Sequence, residues 1–318
     1  MPSRRHFLVA TATATASFGS FGQSGAPLRL VSGYAPGGAT DRVARLVGEK
    51  LQAKLGTTVI VENKTGAGGR LAAQQLKNTP AGQDVLMIAN PAVMVVAPLV
   101  FADTGYDAER DFKIVSHVND YEFALSVPQS LPVQDLPKLL EWLKANPGKA
   151  NFGVPATGSL PHFFALMLGD RANTRAEVVG YKGSAPLIAD LIGGQIPVSI
   201  DTFDTVLPHH EGGKLRILAV SGARRSPFAP AIPTFREGGV DIVATGWNAF
   251  FAPASMPAAE VDRLARAIKD VMDDLDTQKK FTDARLTPVS ATRAQSEAML
   301  KAYREQWAPV VKKSGYKP

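Results

Sequence analysis

The chain has 318 residues, 45% hydrophobic and 20% charged, a composition that excludes disorder, collagen and coiled coil. At ~100–200 residues per domain, two domains are expected. The formal charge of +6 is dispersed, with no Lys/Arg run of the kind that marks a nucleic-acid patch, and the absence of Cys excludes disulfides, thiolate metal sites and a Cys nucleophile.

Residues 1–26 read as an address. Ser3-Arg4-Arg5-His6-Phe7-Leu8 is a twin-arginine pattern, residues 9–21 are weakly apolar and Ala/Thr-rich, and Ser24-Gly25-Ala26 offers a small-x-small cleavage site. Positive charge at the front and no acid predict a bacterial export signal of twin-arginine type. The stretch is too short and too polar to span a membrane. With no Cys for a lipid anchor, the expected product is a freely diffusing periplasmic protein, monomeric, with its signal removed.

Downstream, short apolar runs alternate with helical spacing. Residues 28–31 predict a strand, and Val43, Leu46, Val47 and Leu51 then mark one face of a helix. Residues 58–61, 71–76 and 85–89 predict strand, helix and strand. This βαβαβ series argues a parallel sheet with helices on its faces. The pattern restarts after Val127. A helical stripe over 136–143 closes at Asn146-Pro147-Gly148, followed by a strand (151–154), a helix (161–168) and a strand (177–179). A helix over 186–192 stops at Gly193-Gly194, and strands follow at 197–200 and 215–220. A Pro-rich connection, 226–233, leads to an apolar run at 247–251. Apolar stripes from Val261 to Leu275 and from Met299 to Val311 predict long helices that pack back on the first unit. The expected fold class is α/β, with residues 27–126 and 248–318 in lobe 1, residues 127–247 in lobe 2, and a cleft between them.

Two strand-to-helix loops carry candidate chemistry. In Tyr34-Ala35-Pro36-Gly37-Gly38-Ala39-Thr40-Asp41, glycines leave backbone N–H groups uncovered, and Thr40 or Asp41 can cap the helix that follows. Such a helix N-terminus suits a carboxylate or phosphate, although the same residues also fit a plain turn. No Lys-Ser/Thr pair follows, so this is not a nucleotide P-loop. Ala156-Thr157-Gly158-Ser159-Leu160-Pro161-His162 repeats the arrangement in the second unit. The two loops could clamp one anion, with His162 read as a capping or packing residue. Tyr181-Lys182-Gly183-Ser184 could add donors, and Asp201-Thr202 follows a strand where α/β ligands commonly sit. Gly66-Ala67-Gly68-Gly69 reads as a tight turn. Gly-x-Ser-x-Gly and His-Glu-x-x-His are both absent, so no catalytic residue, metal site or cofactor is nominated.

At this point the chain resembles a known family. The residues carrying the resemblance begin with Tyr34-Ala35-Pro36-Gly37-Gly38, Asp41 and Ala44-Arg45, then run from Val61-Glu62-Asn63-Lys64 to Gly69. They continue with Tyr106-Asp107, Asp111-Phe112, Ala145-Asn146-Pro147-Gly148-Lys149, Tyr181 to Pro186, Asp190 to Gln195, Gly213-Lys214-Leu215-Arg216 and Pro233-Thr234. In this order they resemble the Bug-type extracytoplasmic solute receptors of the tripartite tricarboxylate transporter family. The resemblance implies a type II periplasmic binding-protein fold, hinge closure over a small organic carboxylate, and delivery to membrane permease subunits. Carried over by position, the ligand-binding residues are Tyr34, Ala35, Pro36, Gly37, Gly38, Ala39 and Thr40 in the first loop and Ala156, Thr157, Gly158, Ser159 and His162 in the second. Tyr181, Asp201 and Thr202 join them, as does Asn90, which stands where the family has a small hydroxyl residue. Gly180 and Asn248-Ala249 also depart from the family pattern, and these changes are expected to reshape the distal half of the pocket. Two alternatives remain open, an adaptor for a membrane sensor kinase and a periplasmic hydrolase.

Overall fold

The computed structural model describes residues 26–173 and 175–317, so the expected export signal, apart from Ala26, lies outside the described residues. The first lobe opens as β1 (Leu28–Ser32), α1 (Ala39–Leu55), β2 (Val59–Asn63), α2 (Arg70–Lys77) and β3 (Val85–Ala89). β1 runs parallel to both β2 and β3. Every residue of β3 is buried, as an apolar run in a sheet covered on both faces requires. A π-helical turn (Ala92–Val96) and the one-turn α3 (Ala97–Val100) lead to β4 (Phe112–Tyr121).

β5 (Phe123–Pro128) follows after Glu122 alone, yet it belongs to a second sheet. That lobe continues with α4 (Leu136–Ala145), β6 (Asn151–Val154), α5 (Leu160–Arg171), β7 (Glu177–Gly180), α6 (Ser184–Ile192), β8 (Val198–Thr202), α7 (Phe203–Glu211) and β9 (Leu215–Val220). The chain then returns to the first lobe as β10 (Gly246–Pro253), α8 (Ala258–Asp273), α9 (Leu275–Asp283), β11 (Thr287–Pro288) and α10 (Arg293–Ser314). The strand orders are β11-β4-β10-β3-β1-β2 and β7-β6-β8-β5-β9. The chain thus changes sheet at Glu122 and again between Val220 and Gly246, where the sequence reading set the changes at 127 and 247.

The two-lobed α/β architecture read from the sequence is present, but neither sheet is wholly parallel. β10 is antiparallel to β3 and β4, and β5 is antiparallel to β8 and β9. A parallel neighbour needs a crossover within its own sheet. β5 and β10 arrive from the opposite lobe instead and run the other way. β4 and β5 escaped the sequence reading because they are buried on both faces while Ser116, His117, Asn119 and Asp120 interrupt the apolar run.

The last helix also differs from expectation. It packs on the first lobe, but Trp307 additionally meets the second-lobe Phe164 edge-on at 5.5 Å, and Gln306 donates to the Val243 carbonyl at 2.9 Å. A line of rings runs from Trp247 to Tyr303, Trp307, Phe164, Phe123 and Tyr121 at centroid distances of 5.8, 6.1, 5.5, 5.4 and 5.6 Å. Each such contact adds about 0.5–1.5 kcal/mol beyond its burial. The line passes through the crossing at Glu122 and stitches the lobes on the side where the chain passes between them.

Gly246 lies opposite Tyr121 in this line, and a Cβ there would collide with the Tyr121 ring. Gly246→Ala should lower stability by about 1–3 kcal/mol, as overpacked cores do. Urea unfolding measures this, and unchanged stability would show that the ring can step aside.

Candidate ligand-binding cleft

β1 and β3 in one lobe and β6, β7 and β8 in the other end toward the same gap. The Arg42 Nη2 of α1 donates to Asp204 Oδ2 of α7 at 2.8 Å, which sets the two C-terminal sheet edges face to face. Ligands of open α/β sheets bind at such edges. The helices α1, α5, α6 and α7 all begin there, so their positive ends gather around the gap.

The first loop is shaped by Asp41. Gly37 turns the chain at φ +81, and Gly38, in ordinary extended geometry, is the N-cap of α1. Asp41, 1% exposed, accepts from the Gly37 amide at 2.8 Å, from Arg45 Nε and Nη2 at 2.9 and 3.1 Å, and from Asn63 Nδ2 at 2.8 Å. Burial pushes its carboxyl up, but the bonds from Arg45, Gly37 and Asn63 outweigh this and hold it below the usual range. Gly38 takes the cap position expected of Thr40 or Asp41 with no side-chain cap bond, and Asp41 instead reaches back to Gly37. The Thr40 hydroxyl donates to Asn248 Oδ1 at 3.2 Å, and Asn248 donates to Asn119 at 3.1 Å. Asn248, expected to reshape the pocket, lies wholly buried beneath this loop.

The uncovered glycine amides expected in this loop are both engaged. Gly37 donates to Asp41, and Gly38 donates to the Ala35 carbonyl at 3.3 Å. Among the described residues, the amides without a protein acceptor are the next ones, Ala39, Thr40 and Asp41, which no carbonyl earlier in the helix can reach. Ala35, Pro36, Gly37 and Gly38 are exposed at the mouth. Tyr34 and Asn90 come together: the Tyr34 hydroxyl donates to Asn90 Oδ1 at 3.1 Å and joins the ends of β1 and β3. Burial pushes the Tyr34 phenol up to about 12, with the Asn90 bond opposing. The 66–69 glycine turn packs directly behind: a Cβ on Gly33 would lie 2.7 Å from Gly69 Cα, and Gly69 itself sits at φ +94 against the Tyr34 ring. Its role was hidden in the sequence because it depends on that close approach.

In the second loop, His162 is 5% exposed and its Nδ1 accepts from the Gly158 amide at 3.0 Å, so the ring caps its own loop. Burial lowers its pKa and favours the neutral imidazole. Tyr316, just beyond α10, packs edge-on against His162 at 4.4 Å. The Ser159 hydroxyl donates to the Ala156 carbonyl at 2.7 Å, while Ala156 and Thr157 are exposed. Among the described residues, the amides of Thr157, Ser159 and Leu160 have no protein acceptor. The Tyr181 hydroxyl is turned into its own lobe and donates to Asp190 at 2.8 Å. Burial and Asp190 push that phenol up to about 12. Asp201 is fully buried, its Oδ1 held by the Thr202 amide at 2.7 Å and its carboxyl pushed up to about 7 by burial. The Thr202 hydroxyl pairs with Thr205 at 2.7 Å. Sequence reasoning missed Arg42 and Asp204, 162 positions apart, and no local signal joins them.

A family model described as the tripartite tricarboxylate transporter family receptor matches residues 43–316. The chain is 32% identical over 292 residues to a UPF0065 protein of Bordetella bronchiseptica, covering 92% of this chain and 87% of that one. It is 31% identical over 293 residues to the protein BugT of Bordetella pertussis, covering 92% and 90%. Among solved structures, an R. palustris protein with adipate superposes with a TM-score of 0.85 at 29% identity, over 92% of this chain and 98% of that one.

Asp41→Asn should lower stability at pH 7 by about 2 kcal/mol, since charge-assisted bonds exceed neutral ones and the Arg45 side is half exposed. The folded carboxyl titrates below its unfolded value of about 3.9. Its contribution is therefore complete above that pH and is lost as pH falls through the folded value, so the gap between the two proteins should narrow by about pH 3. Urea unfolding at pH 7 and pH 3 checks this, and equal stabilities at pH 7 would contradict it.

Proposed function

Because the chain belongs to the tripartite tricarboxylate transporter receptor family, we propose that it is a periplasmic receptor that closes on a small organic carboxylate and hands it to membrane permease subunits. The observation that supports this is that amides without a protein acceptor stand at or beside helix starts in both lobes, Ala39 and Thr40 at the start of α1, Leu160 at the start of α5 and Thr157 in the loop before it. Amides so placed bind an anion without a cationic side chain, since the helix ends supply the positive field. A ligand touching both lobes favours the closed form by its differential affinity, which is all that hinge closure requires. The adipate-bound R. palustris relative supports a carboxylate as the ligand class.

In this reading Tyr34 to Thr40, Asn90, Ala156 to Ser159 and Thr202 frame the ligand, and His162, Tyr181 and Asp201 hold the frame. No bond is made or broken. The protein reaches the periplasm by way of the signal in residues 1–26 and acts there as a monomer.

Thermal unfolding against dicarboxylates, tricarboxylates, amino acids and aromatic acids tests the proposal. A ligand at 100 times its Kd should add about 2.7 kcal/mol and raise Tm by roughly 5–10 °C for one chemical class. No shift with any acid, together with no small acid released on denaturation, would overturn it. Gly38→Val should weaken that binding while leaving the fold intact, because a side chain there meets the Ala35 carbonyl at the mouth of the loop. Unchanged affinity would remove this loop from the site.

A further inference from the structure

Helix α7 belongs to the second lobe, yet both of its ends are tied to the first. Near its start, Asp204 accepts from Arg42 of α1 at 2.8 Å. At its last residue, Glu211 accepts from both terminal nitrogens of Arg285 at 2.9 and 3.0 Å, and Arg285 lies between α9 and β11. The two acids are spaced about 10 Å apart along the helix. Both arginines come from first-lobe elements and both acids from α7, so each pair must part when the lobes separate.

The two ends are built differently. The Asp204 side chain is 3% exposed, and its Oδ1 has no hydrogen-bond partner among the described residues. Its charge is thus compensated chiefly by a guanidinium from the opposite lobe. A buried carboxylate depends on its partner far more than an exposed one does. Glu211 is half exposed, but it sits at the negative end of α7, where an acid is unfavourable unless paired. Arg285 occupies the left-handed position that ends α9, at φ +59, a place usually taken by glycine. A long side chain at that position is accounted for by what it reaches, the far end of α7.

We propose that the Arg42–Asp204 and Arg285–Glu211 pairs form a two-point latch that holds α7 to the first lobe and sets how much of the unliganded chain is closed. The fraction closed multiplies the intrinsic affinity of any ligand that needs both lobes. The latch concerns the lobes alone, so it can be tested with no ligand present.

The chain has no Cys, so Ala53→Cys on α1 and Ala145→Cys on α4, both exposed, provide a unique spin-label pair across the lobes. Dipolar distance measurement on the full chain without ligand should show one dominant separation. Arg42→Gln should raise the population at a second, opened separation roughly two- to fivefold, and adding Arg285→Gln should raise it further. Asp204→Asn combined with Arg42→Gln should open the chain no more than either single change, because the two residues act as one pair. Raising NaCl from about 50 to about 500 mM should open the parent chain and leave the Arg42→Gln/Arg285→Gln chain unmoved. Identical distance distributions for the parent and both variants at both salt concentrations would overturn the latch. Failure to bind any carboxylate would count against the receptor reading and leave these distances untouched.

Discussion

The Asp41 carboxylate sits at the meeting point of the loop after β1, the end of β2 and the first turns of α1. Its bonds to Gly37, Asn63 and Arg45 tie these together, and Asn63 extends the tie to the Tyr34 carbonyl at 2.9 Å. Tyr34 in turn reaches Asn90 at the end of β3. An acid at the start of a helix partly cancels the positive end that an anionic ligand would use. Arg45 offsets that charge, so the first-turn amides stay available while the loop stays fixed. The loop's shape, and with it the aim of those amides, depends on this one buried anion.

The rest of the molecule keeps the opposing helix ends in register across the gap. The chain crosses between lobes at Glu122 and again over 221–245, and Ser221 joins the two crossings. It accepts from the Phe123 amide at 2.9 Å and donates to the Ala244 carbonyl at 2.6 Å. Burial raises the Glu122 carboxyl at the first crossing to about 7. The rings of Trp247, Tyr303, Trp307 and Phe164 fill the space beside the crossings. The lobes are thus joined by apolar packing beside the crossings and by ion pairs at the two ends of α7.

Periodicity is a local signal, and it served where packing follows local pattern. The βαβαβ opening and, in the second lobe, α4, β6, α5, β7, α6, β8 and β9 were legible because their apolar residues repeat at helical or strand spacing. β4 and β5 were not, since burial on both faces and interspersed polar residues erase alternation. The antiparallel entry of β5 and β10 depends on where the chain crosses, which no window of sequence reports. Both candidate loops were legible from their glycines and their place between strand and helix. Which of their amides lack acceptors was not: Asp41 takes the Gly37 amide, and His162 takes that of Gly158. Nor did the sequence show that Asn248 lies beneath Thr40, 208 positions away, or that Tyr181 turns its hydroxyl to Asp190.

In the proposed closed form one carboxylate is gripped by backbone amides from both lobes. Amide ¹⁵N–¹H spectra of the labelled chain, titrated with adipate or with whichever acid raises Tm most, test it most directly. The largest shifts should fall on Ala39 and Thr40 in one lobe and on Leu160 with Thr157 in the other, at the same ligand concentration. Shifts confined to a single lobe, or lying away from both helix ends, would contradict it.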